Sequence, residues 1–117
     1  MHHDFMVRYM ITQLLHAGYD KIRADIPGFK KPFPVDFTGD YHLPDLTAEK
    51  NKKLILVEVE TDDSIEEDHT EQEWTALYQY TMKNQGIFIF AGPGISRNKF
   101  QKRARQLGIS QFRFVGF

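Results

Sequence analysis

Hydrophobic residues recur along the chain with two different periods, and these periods predict alternating helices and strands. Between residues 4 and 17 they return every three or four positions, which predicts an amphipathic helix that Asp4 caps and Gly18 ends. Its apolar stripe is Val7, Met10, Ile11, Leu14 and Leu15. Residues 21–26 alternate instead and predict a strand whose inner face is Ile22, Ala24 and Ile26. The prolines of 27–34 predict a loop.

The middle of the chain predicts two further strands and a long helix. Residues 41–48 predict a strand that Pro44 makes irregular, 49–52 a turn, and 53–60 a strand with a clear apolar run. Ser64 and Glu67 form a capping-box pattern, which predicts a helix from there to Lys83. The predicted inner face of this helix is Thr70, Trp74, Leu77, Tyr78 and Thr81.

The end of the chain predicts a strand, a helix and a strand. Residues 86–91 are continuously apolar, and 92–94 turn the chain. Ser96 is the predicted cap of the next helix, with Ile95 packing on Phe100, and 111–117 predict the final strand. The predicted inward residues of that helix are Phe100, Ala104 and Leu107, and Gly108 is its predicted end. The order αβββαβαβ predicts an α/β fold: an antiparallel meander, then parallel strands, in one mixed sheet flanked by helices.

Length and composition limit the classes of protein to which the chain can belong. Its 117 residues suit a single domain, 1–117. It has no cysteine, which excludes disulfides and thiolate metal sites and permits a reducing cytoplasm, the expected location. No apolar stretch approaches the roughly 20 residues of a membrane span, and no export signal is visible. His2 and His3, which could be native or part of a tag, receive no role.

Charge is distributed unevenly along the chain. The segment 36–73 has thirteen acidic residues against three lysines, whereas 75–117 has no acidic residue. Such a chain could bind a cation in one place and a polyanion beside it, or its two halves could neutralise each other across the fold. The helix after Ser96 is the candidate surface for contact with phosphates. Its candidate nucleic-acid-binding residues are Arg97, Lys99, Lys102, Arg103 and Arg105.

Three carboxylates are the candidate chemical site. Glu58 and Glu60 lie on one face of the strand 53–60, after buried leucines, and Asp45 comes from the preceding strand of the hairpin. Carboxylates held this close repel one another, and a hard divalent ion such as Mg²⁺ removes that penalty. The alternative is a solvated strand end with surface carboxylates paired to lysines. Those lysines would be Lys50, Lys52 or Lys53.

Other candidate motifs are weaker. His42 and His69 are close to the acidic residues in sequence, but such histidines are more often surface residues than ligands. The glycine-proline-glycine turn at 92–94 lacks the spacing of a nucleotide-binding loop, which excludes that function.

The arrangement Pro44-Asp45, twelve residues, then Glu58-Val59-Glu60 resembles the PD-(D/E)XK, or restriction-endonuclease-like, nuclease superfamily. The predicted element order is similar to the common core of that fold, with the last helix and strand similar to its archaeal Holliday-junction-resolvase and RecB-like branches. The resemblance implies a Mg²⁺- or Mn²⁺-dependent nuclease in which Asp45, Glu58 and Glu60 are catalytic. The implied metal ligands are Asp45, Glu58, the Val59 carbonyl and Glu60.

Two departures from the family pattern leave two functions open. Glu60 stands where the family usually has lysine, and no glutamate precedes Glu49, although many relatives have one in the first helix. One hypothesis is an active enzyme that cleaves DNA, as a homodimer or with a partner subunit because cutting a duplex needs two sites. The other is a catalytically inactive module of the same fold that binds nucleic acid or a protein partner.

Overall fold

The computed structural model describes residues 3–117, which form three α-helices and seven β-strands. His2 lies outside the described residues. The helices are α1 (His3–His16), α2 (Asp68–Lys83) and α3 (Arg97–Gln106). The strands are β1 (Asp20–Ala24), β2 (Val35–Phe37), β3 (Asp40–His42), β4 (Leu46–Lys50), β5 (Lys53–Val59), β6 (Ile87–Gly92) and β7 (Arg113–Gly116).

The main sheet has five strands in the order β1-β4-β5-β6-β7. The β1-β4 and β4-β5 pairs are antiparallel, whereas β5-β6 and β6-β7 are parallel. This difference follows from the connections: Asn51 and Lys52 form a tight turn, while α2 and α3 carry the chain back across the sheet. The predicted mixed α/β sheet, antiparallel at one side and parallel at the other, is confirmed.

Helices cover both faces of this sheet because its central strand alternates between two cores. Ile55, Val57 and Val59 of β5 pack in the cluster that α1 covers, whereas Leu56 packs in the cluster of α2 and α3. Glu58 follows Leu56 on the α2 side by the same alternation. A carboxylate is thereby carried to the inner side of a helix. In the part of the chain that the structure describes, no helix is long and apolar enough to cross a membrane.

An aromatic cluster joins α2 and α3 to β6. The fully buried Trp74 ring lies 4.1 Å from Phe90 and stacks on Phe100 at 5.7 Å, between ring centroids. Gly92 permits this packing, because a Cβ atom there would lie only 2.7 Å from the Phe100 ring. The first glycine of the glycine-proline-glycine turn therefore has a packing role.

The predicted strand 41–48 is wrong. The structure divides it into β3 and β4, with Pro44 between them, and places β3 in a separate two-stranded hairpin with β2. Pro44 has no N–H to donate to a ladder, so the segment changes partner at that residue. The predicted order αβββαβαβ lacks this hairpin, which packs against α2 rather than joining the main sheet.

Ser96 is the N-cap residue of α3, as predicted, whereas Ser64 does not cap α2; neither side chain makes a cap hydrogen bond, because each hydroxyl donates to a carboxylate. Helix α2 begins at Asp68, and the Ser64 hydroxyl donates to the Glu60 carboxylate instead of accepting a hydrogen bond from a helix N–H. The Ser96 hydroxyl donates to Asp62 Oδ1 at 2.6 Å and makes no cap bond. Ile95 is 95% exposed and does not cover Phe100.

Two predictions about α1 also need correction. Asp4 lies inside the first turn of α1 rather than before it. Leu15 is exposed, whereas the rest of the predicted stripe is buried. Met6, which the prediction left out, is fully buried instead, so the buried stripe is rotated toward Met6 relative to the predicted one.

Candidate metal centre

Three carboxylates meet beside the end of β5, and two of them are those that the sequence predicted. Glu58 belongs to β5, Glu60 follows it, and Glu73 comes from α2. One oxygen from each lies within 4.8 Å of the others. We call Glu58, Glu60 and Glu73 the carboxylate cluster. Strand alternation places the first two on the α2 face, and the helix supplies the third across the interface.

Glu58 is the most enclosed member of the cluster. Its side chain is fully buried, and its Oε2 accepts a hydrogen bond from the Asp45 backbone N–H at 3.0 Å. Its Oε1 is also buried and has no hydrogen-bond partner among residues 3–117. Burial, followed by the charge of Asp45, raises the pKa of Glu58 well above its ordinary value. Ionised, Glu58 has no positive partner within residues 3–117; protonated, it shares its proton with Glu73, and this hydrogen bond opposes the rise in the pKa of Glu73.

Glu60 is held by two donors from different elements. Its Oε2 accepts from the Ser64 hydroxyl, and its Oε1 accepts from Trp74 Nε1 at 3.4 Å. The residue is only 8% exposed, and burial raises the pKa of Glu60 to about 7 in spite of these bonds. Glu60 therefore changes between its protonated and ionised forms near neutral pH. Trp74, predicted as a core residue, also anchors the site.

Glu73 is the site residue that the sequence prediction missed. It is half-buried, and burial, followed by the charge of Asp45, raises its pKa. The acidic run before α2 concealed it, since most of those residues are exposed. A signal was available: Glu73 lies between the inward Thr70 and Leu77, at helical spacing.

Asp45 lies beside the cluster with both carboxylate oxygens already bonded. Oδ2 accepts from the Val59 backbone N–H at 2.8 Å, and Oδ1 lies 2.9 Å from His3 Nε2. Together with the bond from its own N–H to Glu58, these contacts fix the start of β4 against the end of β5. Asp45 is therefore next to Glu58, as predicted, but it is not one of the three that meet. The Val59 carbonyl remains a predicted ligand.

His3 is the cation that the sequence analysis overlooked. Its hydrogen bond to Asp45 raises the pKa of His3 to about 9, against an opposing effect of burial. It is therefore protonated at neutral pH and neutralises Asp45 rather than the carboxylate cluster. His42 is half-buried, and its Nε2 has no partner within residues 3–117, whereas His69 is exposed and 3.2 Å from Glu67.

The alternative of solvated surface carboxylates is wrong for Glu58 and Glu60. Both are buried, and no lysine forms an ion pair with either in the described part of the chain. Lys50 instead donates to the Ala17 carbonyl at 2.6 Å. The β4–β5 turn holds Lys52 at the opposite end of β5.

Helix α3 is basic, as the sequence shows, but part of its charge is used inside the molecule. Lys99 pairs with Asp62 at 2.9 Å, Arg103 lies 4.0 Å from Glu71, and the Arg97 guanidinium lies 4.5 Å from the centre of the Phe114 ring. Lys102 and Arg105 are exposed and form no ion pair within residues 3–117. The acidic middle and the basic end thus neutralise each other in part.

Comparison with known proteins adds no relative from which to transfer a function. The chain matches no protein-family model, no curated protein and no solved structure. Functional inference for this chain therefore depends on the carboxylate cluster and its surroundings.

Proposed function

We propose that this protein is a metal-dependent nuclease of the restriction-endonuclease-like fold, which hydrolyses phosphodiester bonds in DNA. One observation carries the proposal: a fully buried carboxylate, Glu58, has an unpartnered oxygen and two further carboxylates within 4.8 Å. Such a group is costly unless a cation or a proton compensates it. The position of Asp45, Glu58 and Glu60 in the chain, which resembles that superfamily, supports the same chemistry.

The donor set fits a hard divalent ion. All three groups of the cluster offer carboxylate oxygens, which Mg²⁺ and Mn²⁺ prefer, and none offers sulfur or nitrogen. Glu58, Glu60 and Glu73 would hold the ion, with the predicted Val59 carbonyl beside them. When bound, such an ion polarises a phosphoryl oxygen and lowers the pKa of a bound water.

The protein's own residues supply positioning and proton transfer in this proposal. Ser64 and Trp74 orient the Glu60 carboxylate, and in its ionised form Glu60 accepts a proton from the attacking water. Asp45, neutralised by His3, keeps β4 and β5 in register so that Glu58 faces Glu73. Asp45 is thus a positioning residue, and the glutamates hold the reacting centre.

A cleavage assay with Mg²⁺ and with Mn²⁺ on single-stranded, duplex and branched DNA tests the proposal. The wild type should cleave at least one substrate, and the Glu73→Gln variant should lose that activity because it removes a ligand. Glu66→Gln is the matched control, since Glu66 is exposed in the same acidic segment but lies outside the cluster. Equal activity of Glu73→Gln and Glu66→Gln would exclude the cluster as the active site.

A second candidate function is an inactive module of the same fold that binds nucleic acid or a protein partner. The absence of lysine favours it: among residues 3–117, His3 is the only basic side chain that hydrogen-bonds to Asp45 or to the cluster, and it contacts Asp45. Isothermal titration with Mn²⁺ separates the two functions. An enzyme must bind Mn²⁺ at the carboxylate cluster. A protein that binds no Mn²⁺ would be the inactive module, which keeps the fold without the metal centre.

Cleavage of both strands of a duplex would require two such sites. We therefore include a homodimer, or a complex with a partner subunit, in the proposal. Light scattering at high protein concentration, together with a nicking assay, tests this part alone. A monomer that nicks a single strand would remove the dimer and leave the proposed chemistry unchanged.

A further inference from the structure

A groove of about 680 Å³ lies on the open part of the same sheet face as the carboxylate cluster. Helix α2 packs on β5 and β6 and leaves β1 and β4 open on this side, so Thr47, Glu49 and Leu54 reach the groove floor. Pairing of Thr47 with Leu56, and of Glu49 with Leu54, places these residues on the face that carries Glu58. A cleft of this size is in the range that holds ligands.

The groove leads to the cluster along two elements. Pro44, which precedes β4, lines the groove immediately before Asp45, and Thr47 of β4 follows Asp45 by two residues, about 7 Å along an extended chain. In α2, Tyr80 lines the groove two helical turns after Glu73, about 10 Å along the helix axis. None of the three glutamates lines the groove itself, so a chain-like ligand must extend beyond Pro44 and Tyr80 to approach the carboxylates.

The lining of the groove is cationic. Four basic side chains line it against one acid, Glu49, which lies 3.9 Å from Lys21. Lys30 and Lys52 form no ion pair within residues 3–117. The four basic residues are Lys21, Arg23, Lys30 and Lys52. This is the charge that a phosphate backbone requires, and it lies closer in sequence to Asp45 than helix α3 does.

Backbone conformation brings two of these cations to the rim. Lys21 has a φ of 50°, at an irregularity in the β1–β4 pairing, and Lys52 has a φ of 64° in the hairpin turn. Both values lie in the left-handed region, which is unfavourable for a lysine and favourable for glycine. A glycine at position 52 would be the ordinary choice in a turn that begins with Asn51. Lys52 therefore has an unfavourable backbone conformation in the lining of the groove.

Aromatic rings accompany the cations. Phe33 is 68% exposed, with the Arg23 guanidinium 4.3 Å from its ring centre, and Tyr80 is 36% exposed on the opposite wall. Exposed rings beside cations are the arrangement on which unpaired bases stack, whereas the bases of a duplex cannot reach such rings. Stacking is therefore available to a single strand only.

We infer that this groove binds a single strand of nucleic acid, its bases on Phe33 and Tyr80 and its phosphates on the four basic residues, and leads it to the carboxylate cluster. The inference depends on the proposed nuclease function for its choice of ligand. In this inference the groove, rather than α3, is the main surface that binds nucleic acid. In α3, Lys99 and Arg103 have acidic neighbours within the molecule.

Binding of fluorescent oligothymidylate, measured by anisotropy in EDTA so that no cleavage occurs, tests the inference. Phe33→Ala should weaken binding about tenfold, since one stacked base is lost and the core is untouched. Lys52→Gly should weaken binding severalfold and lower the slope of log K against log salt by about 0.7, while the protein stays at least as stable. Duplex DNA of the same length should bind more weakly than the single strand.

Arg113→Ala is the matched control, because it removes one exposed charge from β7, at the opposite edge of the sheet from β1, and should leave binding within twofold of wild type. Equal losses in Lys52→Gly and Arg113→Ala, no binding by the wild type, or tighter binding of duplex than of single strand would overturn the inference. A protein that binds the strand in the groove but cleaves nothing with Mg²⁺ or Mn²⁺ would keep the groove and refute the nuclease. Cleavage by the wild type that is unaffected by Phe33→Ala and Lys52→Gly would support the nuclease and refute the groove.

Discussion

Two acidic residues of the segment 36–73 lie in opposite environments: Glu58 in the carboxylate cluster, and Asp62 in an ion pair with Lys99. Asp62 is close to the surface, accepts hydrogen bonds from Ser96 and Lys99, and has a lowered pKa. Glu58 is buried, has an unpartnered oxygen, and has a raised pKa. Asp62, which water could also solvate, thus has hydrogen-bond donors from the protein, whereas Oε1 of the buried Glu58 has none within residues 3–117. A buried acid without a partner is the stronger indication of function.

The largest expected effect is the loss of cleavage and of Mn²⁺ binding in the Glu58→Gln variant. The substitution removes a ligand, so cleavage should fall about a thousandfold or more, while the stability of the metal-free protein should stay the same or rise because a repelling charge is removed. Mn²⁺ at a hundred times its Kd should raise the wild-type Tm by about 10 °C or more, and should not raise that of the variant. Thermal melts with and without Mn²⁺ measure this. A wild-type Tm that is indifferent to Mn²⁺ would contradict the metal centre.

Glu60→Lys sharpens the comparison between an active and an inactive site. In a working nuclease it removes a metal contact and replaces it with a cation, so activity should fall by orders of magnitude. We expect this outcome, because Glu58 and Glu73 complete the cluster around Glu60. Steady-state cleavage rates measure it. Mg²⁺-dependent cleavage gained by the variant over a silent wild type would instead identify a module that lost its lysine.

The third expected effect is a fall in the stability of the metal-free protein as pH rises. Glu60 has a pKa of about 7 in the folded state, raised from 4.5, so its contribution is fully present below pH 4.5 and is lost as pH rises through 7. The loss is about 3 kcal/mol by the linkage between pKa and stability. His3, raised from 6.5 to about 9, adds a smaller loss in the same direction, between those values, since it is partly exposed.

Urea unfolding in EDTA at a series of pH values measures this dependence. Glu60→Gln should reduce the decline between pH 4.5 and 7. It should leave the part that comes from Glu58 and Glu73, whose pKa values are also raised, and the later decline that comes from His3. Asp62→Asn is the contrasting control, because a lowered pKa makes its contribution disappear only at acid pH. Stability of the wild type that rises steadily from pH 5 to 8 would contradict the raised pKa of Glu60.

The smallest expected effect is that of Lys99→Ala. This variant breaks an exposed ion pair with Asp62, and exposed pairs contribute little because water and salt screen them. Its Tm should therefore stay close to that of wild type, and the difference should shrink further in high salt. A large salt-sensitive drop in Tm would show that the pair anchors α3, and the contrast with the buried cluster would then be weaker than the structure indicates.

Periodicity was a good guide to the elements and a poor one to their ends. Three helices and the strands of the main sheet follow from apolar spacing, because burial of one face is a local property of the sequence. Ser96 is the N-cap residue of α3, as predicted, but its hydroxyl donates to the distant Asp62 and makes no cap bond. Ser64 does not cap α2, because its hydroxyl donates to Glu60, four residues before it. The β2–β3 hairpin was missed because its strands are only three residues long.

The sequence by itself determined the central pair of acids. Alternation in β5 dictates that Glu58 and Glu60 share the face of Leu56, and a tight turn dictates that the residues preceding β4 lie beside them. Only the tertiary structure decided which groups complete the set. Glu73 enters because α2 crosses the end of β5, whereas Asp45 lies outside the three oxygens that meet and contacts Val59 and His3. Such contacts join residues far apart in the chain, and no local pattern records them.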